Sequence, residues 1–254
     1  MEIWEALVLG IIQGASEFLP ISSSGHLLIL EKAGVGKQDL FFNVMLHVGT
    51  LVAVLIATRK TWWQLLRHPI NKTNGYLLAA CVPTVAIAFL FKLFAPALLD
   101  GKLLGCGFVL SACLMCVGEN FQMTKSPLLT LKKSILTGVL QGIAVLPGVS
   151  RSGATISALT FQGIEKENAT TFSFLLSIPI IIGSAAYESI DLVIGKTPLS
   201  ISPEAVVTGV VAAFLSGLLS IKVFLKFVKK HSLAGFVTYT LILGIVLSIL
   251  PFFL

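Results

Sequence analysis

Two short stretches hold most of the reactive side chains of this chain. EFLPISSSGH (17–26) places Glu17, the serines Ser22, Ser23 and Ser24, and His26 close together. LPGVSRSGAT (146–155) places Arg151 among Ser150, Ser152, Gly153 and Thr155. A hydroxyl beside an imidazole and a carboxylate supplies a nucleophile with a base in reach. Serines and backbone N–H groups opening a helix cap it and form a seat for an anion. One serine suffices for a cap, so three followed by His26 exceed what capping needs. Arginine presents a planar donor fork suited to phosphate oxygens. Together the two stretches describe a phosphate pocket with two helix starts, an arginine and several hydroxyls. Glu17, Ser23, His26 and Arg151 are the candidate catalytic residues. Ser22, Ser24, Ser150, Ser152, Gly153 and Thr155 are the candidate phosphate holders. The nucleophile stays open: Ser23 with His26 as base, His26 acting on water, or His26 itself.

Plainer roles compete at each position. Glu17 could be an interfacial helix end, and Arg151 its structural ion-pair partner, although buried pairs stabilise poorly. Gln13 lies four residues before Glu17, on the same helical face. His47, inside VMLHVGT, reads as a hydrogen-bonded packing residue near the site at best, and His68 and His231 as loop residues. Cys81, Cys106, Cys113 and Cys116 all fall in apolar segments and read as small packing residues, the usual fate of free cysteine.

The elements that must position these groups follow from composition. The chain is 56% hydrophobic and 12% charged, with a mean hydropathy of +0.95. Soluble domains carry about 25% charged residues. Apolar runs near the roughly 20 residues of a membrane-crossing helix recur along the chain. The expected fold is an all-α polytopic membrane protein forming a single membrane domain over residues 1–254. The start, MEIWEALVLGII, has no basic residue and does not read as a cleaved signal. The net charge of +6 reads as cytoplasmic loops rather than nucleic-acid binding.

Six spans are expected, at about 41–57, 76–94, 103–118, 169–187, 204–228 and 235–253. Two further stretches, about 3–33 and 134–162, are apolar helices broken by Pro/Ser/Gly and continued by a short apolar piece, as re-entrant hairpins are. Lysine and arginine gather in 58–75, 119–133 and 226–234, which places those loops in the cytoplasm and 95–102 and 188–203 outside. Both termini then face outward, and the hairpins enter from opposite sides. A shift of 128 residues matches Gly10 with Gly138, Gln13 with Gln141, Gly14 with Gly142 and Gly25 with Gly153. Two inverted-topology repeats, about 1–118 and 130–254, are therefore expected, with both breaks at one mid-membrane site. Non-helical backbone at that depth must line a cavity or sit inside protein. An ionisable group there costs about 2.5–3.5 kcal/mol on insertion scales, which makes it a functional candidate.

EFLPISSSGH with LPGVSRSGAT resembles the undecaprenyl-pyrophosphate phosphatases of bacterial inner membranes, the bacitracin-resistance type. Their pattern is E/Q-xxx-E before P-x-S-S-[ST]-G-H, and then PGxSRSGxT. Gln13, Glu17, Pro20, Ser22–Gly25 and His26 match the first; Pro147, Gly148, Ser150–Gly153 and Thr155 match the second. FNVMLHVGTLVAV and FSFLLSIP are similar too. The resemblance implies hydrolysis of the C55 polyprenyl diphosphate to the monophosphate, recycling the lipid carrier for peptidoglycan and conferring bacitracin resistance. It implies an active site open to the outer face of the plasma membrane and a divalent cation, Mg2+ or Ca2+. Glu17 and Gln13 are the candidate metal ligands; Gln13 stands where many members have Glu, and an amide is a poorer ligand for a hard cation. The partners expected are the lipid substrate and membrane lipids, with a homodimer allowed and no nucleic acid. A lipid-phosphate flippase or anion transporter on the same inverted-repeat plan is the alternative.

Overall fold

The computed structural model describes residues 1–36, 39–122, 127–195 and 201–249, and helices make up nearly all of their regular structure. The chain opens with α1 (Ile3–Phe18) and α2 (Ser23–Lys32), continues through α3 (Leu40–Ala57), α4 (Arg59–Arg67) and α5 (Lys72–Phe94), and makes a 3-10 turn at Pro96–Leu98 before α6 (Leu104–Asn120). After it come α7 (Leu131–Ile143), α8 (Arg151–Phe161), α9 (Lys166–Gly195), α10 (Pro203–Phe227) and α11 (Ala234–Ile249). Four of these, α3, α5, α9 and α10, are long and apolar enough to cross a membrane. α6, with 17 residues, and α11, with 16, are shorter apolar helices. The sixth expected span began in α11, and its residues 250–253 lie outside the described residues.

Each stretch expected as a broken hairpin is a helix, a break and a second helix, α1–α2 and α7–α8. α1 ends at Phe18 because Pro20 disfavours helical backbone at the residue before it, and Leu19 is extended. Ser22 then caps α2, its side chain accepting from Gly25 N–H at 3.3 Å, with a φ of 70° that only glycine adopts freely. In the second pair Pro147 and Gly148, whose φ is 88°, make the turn. Ser150 caps α8 by accepting from Gly153 N–H at 3.0 Å.

The first helix of each pair lies against a long helix from the other half of the chain. α1 packs on α10, and α7 on α5. A Cβ at Gly14 would sit 2.3 Å from the Ala213 carbonyl oxygen, and one at Gly138 would sit 2.1 Å from that of Ala80. Small residues let membrane helices approach this closely when no hydrophobic effect pulls them together. α6 packs on α11, with Gly105 against Gly244. At the centre lies a cluster containing Phe18, Ile156, Leu159, Phe174, Leu176 and Phe224. There Phe18 meets Phe174 edge-on at 5.5 Å.

One element was not foreseen. α4 lies where sequence reading placed only a cytoplasmic loop. Its Trp62 indole donates to the Leu55 carbonyl at 2.6 Å and Arg67 lies over the Trp63 ring. It is too short for hydrophobic periodicity to separate it from a basic loop.

Candidate active site

Glu17, near the end of α1, is the centre of the site. Its Oε1 accepts from the Arg151 guanidinium and its Oε2 from Ser23 Oγ at 2.5 Å. Gln13, one turn earlier on α1, donates its amide to the same Oε2 at 3.1 Å. The Glu17 and Arg151 side chains are only 6% and 16% exposed, so the pair is largely withdrawn from solvent. Ser152 Oγ donates to the Leu19 carbonyl at 2.9 Å, tying the start of α8 to the end of α1. The two chain breaks are thus joined by a charged pair and a side chain–backbone bond.

A cavity of about 250 Å³ opens beside them. Glu17, Ser22, Ser23, Ser24, Ser150 and Arg151 line one wall. Ala144 and Val145, just past the end of α7, and Ile180, Ile181, Ser184 and Glu188 of α9 line the cavity as well. A larger space of about 500 Å³ around Glu119, Lys166 and His231 holds none of the site residues. Its Lys166 pairs with Glu119, while Lys229 pairs with Glu167.

Several expected residues stand back from the cavity. His26 is turned toward α11: Nδ1 lies 2.7 Å from the Ser22 carbonyl and Nε2 2.7 Å from the Tyr239 hydroxyl. Its ring stacks on Tyr239 and meets Phe108 edge-on. Gly153 gives its N–H to Ser150. Thr155 is fully buried, its hydroxyl 2.6 Å from that of Ser173. Ser152 is held by Leu19 and by Ser150 at 3.2 Å. These three hold the frame that presents Arg151.

Of the cavity residues that were missed or undervalued, three stand in hydrogen bonds at the site. His47, read as packing, lines the cavity, with Nδ1 3.1 Å from the Gln13 amide nitrogen. Only the NH2 end of that amide can face the carboxylate of Glu17. The same nitrogen therefore donates to His47, and the His47 proton sits on Nε2. Gln141 and Thr84 also line the cavity, bonded to each other at 2.9 Å. The 128-residue match of Gln13 with Gln141 was the signal that could have found the second glutamine. Thr84 left none in the sequence.

The donors present do not fit a divalent cation held by protein alone. Both Glu17 oxygens are engaged, and the remaining acceptor there is Gln13 Oε1, buried without a hydrogen-bond partner. Among the described residues no group of three His, Cys, Asp or Glu side chains could hold a metal. Mg2+ and Ca2+ take six or more oxygen ligands, so this set leaves most positions to other oxygens.

Comparison with known proteins gives a consistent result. The family model for the bacitracin resistance protein BacA matches residues 6–246. A protein of Carboxydothermus hydrogenoformans named undecaprenyl-diphosphatase is 37% identical, over 98% of each chain. Undecaprenyl-diphosphatase 3 of Bacillus cereus is 36% identical over 98% of this chain and 97% of its own. An undecaprenyl-diphosphatase of Korarchaeum cryptofilum is 33% identical over 98% of this chain and 100% of its own.

Proposed function

Because the chain belongs to the bacitracin resistance protein BacA family, we propose that it hydrolyses undecaprenyl diphosphate to undecaprenyl phosphate and inorganic phosphate. That reaction recycles the lipid carrier for cell-wall polymer synthesis and underlies bacitracin resistance. One observation carries it to this chain's own residues: Ser23 Oγ and the Arg151 guanidinium, from two separate breaks, meet on the Glu17 carboxylate at a cavity. A flippase or carrier needs an arginine and hydroxyls but no hydroxyl aimed at a base, and the relatives described above are named diphosphatases.

The geometry supports Ser23 as nucleophile with Glu17 as its base. Ser23 Oγ attacks the terminal phosphorus and its proton passes to Glu17. Undecaprenyl phosphate leaves with the bridging oxygen. Water then displaces the phosphoryl group from Ser23 as Glu17 returns the proton to Oγ. Arg151 neutralises charge on the phosphoryl oxygens, the main work in such transfers. The hydroxyls of Ser22, Ser24 and Ser150 and the Nε2–H of His47 are the further donors on the cavity wall. His26 takes the role of holding the first break, since its ring nitrogens are directed to Ser22 and Tyr239.

The cation expected from the resemblance is assigned to the substrate's diphosphate, where it supplies charge neutralisation. Activity should then require Mg2+ or Ca2+, while metal analysis of substrate-free protein should find no stoichiometric ion. We assign the chain to the bacterial plasma membrane with six spans, two re-entrant hairpins in inverted repeats and the cavity facing outward. The parallel packing of α1 on α10 and of α7 on α5 supports that layout. A homodimer is compatible with it.

The deciding experiment uses purified protein in detergent with undecaprenyl diphosphate and no membrane gradient. Release of inorganic phosphate, abolished in Arg151→Ala, is the expected result. Absence of release from the wild type, or an unimpaired Arg151→Ala, overturns the reading.

A further inference from the structure

At the 128-residue offset α3 corresponds to α9 and α10 to α5, so the α3/α10 and α9/α5 pairs are counterparts. They are built differently. α3 and α10 pack along their length: a Cβ at Gly49 would sit 2.6 Å from the Val210 carbonyl oxygen, and Ala53 lies beside Gly217. The α9 positions matching Gly49 and Ala53 are Ser177 and Ile181, both larger. α5 and α9 also each carry a proline inside the helix, Pro83 and Pro179, which α3 and α10 lack. They touch far less extensively than their counterparts do.

The cavity reaches this looser side. Ile180, Ile181, Ser184 and Glu188 lie along one face of α9 and line it, with Thr84 on α5. Ser184 is exposed, and the carbon added at neighbouring Gly183 would meet nothing within 4 Å. At the outer end the two helices are bridged by Lys92, whose ammonium donates to the Tyr187 hydroxyl and lies over its ring. That bridge ties the two helices together one turn from the cavity-lining Ser184 and next to Glu188. Glu17, Ser23 and Arg151 line the cavity from the two breaks, and α9 lines it with Ile180 and Ile181 beside Ser184 and Glu188. Charged and hydroxyl groups for a diphosphate and apolar surface for the start of a tail therefore meet in one cavity.

We propose that the polyprenyl tail of the substrate passes from the cavity into the membrane between α5 and α9, over Ile180, Ile181 and Ser184, and not between α3 and α10. The proposal rests on the lipid-diphosphatase reading above. The gap gives the enzyme a side entrance, so the chain need not leave the bilayer to be cleaved. Burial of the tail there also supplies binding energy remote from the reacting phosphorus.

The test compares kcat/KM for undecaprenyl diphosphate with that for farnesyl diphosphate, which has a much shorter tail. Ile180→Trp and Ser184→Trp should lower the long-chain to short-chain ratio by about tenfold or more, as lost remote binding does. The matched control is Val52→Trp, at the α3 position corresponding to Ile180 and 41% exposed. It should leave the ratio unchanged. An unchanged ratio in both α9 variants, or an equal fall in the Val52→Trp variant, overturns the proposal. Wild-type protein avoids any folding defect: a polyprenyl diphosphate with a photoreactive group in its tail, beyond the reach of His47 on the cavity wall, should label α5 and α9 peptides. Labelling of α3 and α10 instead overturns the entrance while leaving the activity standing; no phosphate release from either substrate removes the activity itself.

Discussion

The two breaks are built on one plan and equipped differently. In each, a serine caps the following helix, Ser22 through Gly25 N–H and Ser150 through Gly153 N–H. In each, that serine lies near the second serine along, 3.4 Å for Ser22 and Ser24 and 3.2 Å for Ser150 and Ser152. The residue between them is Ser23 in one break and Arg151 in the other, and both reach Glu17. Glu17 itself has only apolar Leu146 and Val145 near its matching place in the second hairpin. The two breaks are alike in their capping frame and differ at the matched position: one brings a hydroxyl to Glu17 and the other a fixed positive charge. The backbone differs as well, since Ser22 holds a φ of 70° and Ser150 one of −76°. Backbone strain is concentrated at the break that carries Ser23.

The comparison can be broken first at the matched pair. Arg151→Ala should lower kcat for phosphate release by about 10³-fold or more, in the range of arginines that stabilise phosphoryl transfer. Arg151→Lys should recover only part of it, because a point charge cannot engage Glu17 and a phosphate as a planar fork does. Next, Ser23→Ala should cost about 10²–10⁴-fold, the range for losing positioned proton transfer at an attacking group. The assay is single-turnover phosphate release. Equal losses in Ser23→Ala and Ser24→Ala would remove the special place of the middle residue.

Stability measurements sharpen the same comparison. Gly14→Ala forces its Cβ onto the Ala213 backbone, whereas Gly142→Ala meets the Ile87 side chain at 2.7 Å. Both should destabilise, Gly14→Ala by about 2–3 kcal/mol and Gly142→Ala by about 1 kcal/mol, as overpacked sites do. Thermal unfolding in detergent reads the order, and a reversed order contradicts it. The smallest effect is at the caps. Ser22→Gly loses a few tenths of a kcal/mol of capping and relieves about 1 kcal/mol of backbone strain, so the melting point should rise slightly. Ser150→Gly relieves no such strain, and its melting point should fall.

Much of this architecture was legible in the chain. Long apolar runs located α3, α5, α9 and α10 because a bilayer demands about 20 apolar residues in a row. Pro20 and Pro147, each followed closely by serines and a glycine, marked both breaks because proline removes a helical hydrogen bond and restricts the residue before it. Serines and an arginine at those breaks pointed to the polar wall of the cavity, since such groups are costly at that depth. The contacts of His26 were not legible: SSSGH places an imidazole three residues from Ser23, but its Nε2 meets the hydroxyl of Tyr239, 213 residues away. Nor was His47, which reads as one polar residue in a span until Gln13 is seen to reach it.

The sequence by itself determined the apolar helical segments (though not α4), the places where the two broken stretches break, and which reactive groups stand at the breaks. These depend on local backbone preference and on the cost of polar groups in hydrocarbon, both properties of neighbours along the chain. Only the tertiary structure decided that Ser23 and Arg151 share one carboxylate, that His26 faces away, and that α5 and α9 stand apart where α3 and α10 close. Those outcomes depend on which side chains fit between helices far apart in the chain, and a glycine or an isoleucine there acts only against the surface it meets.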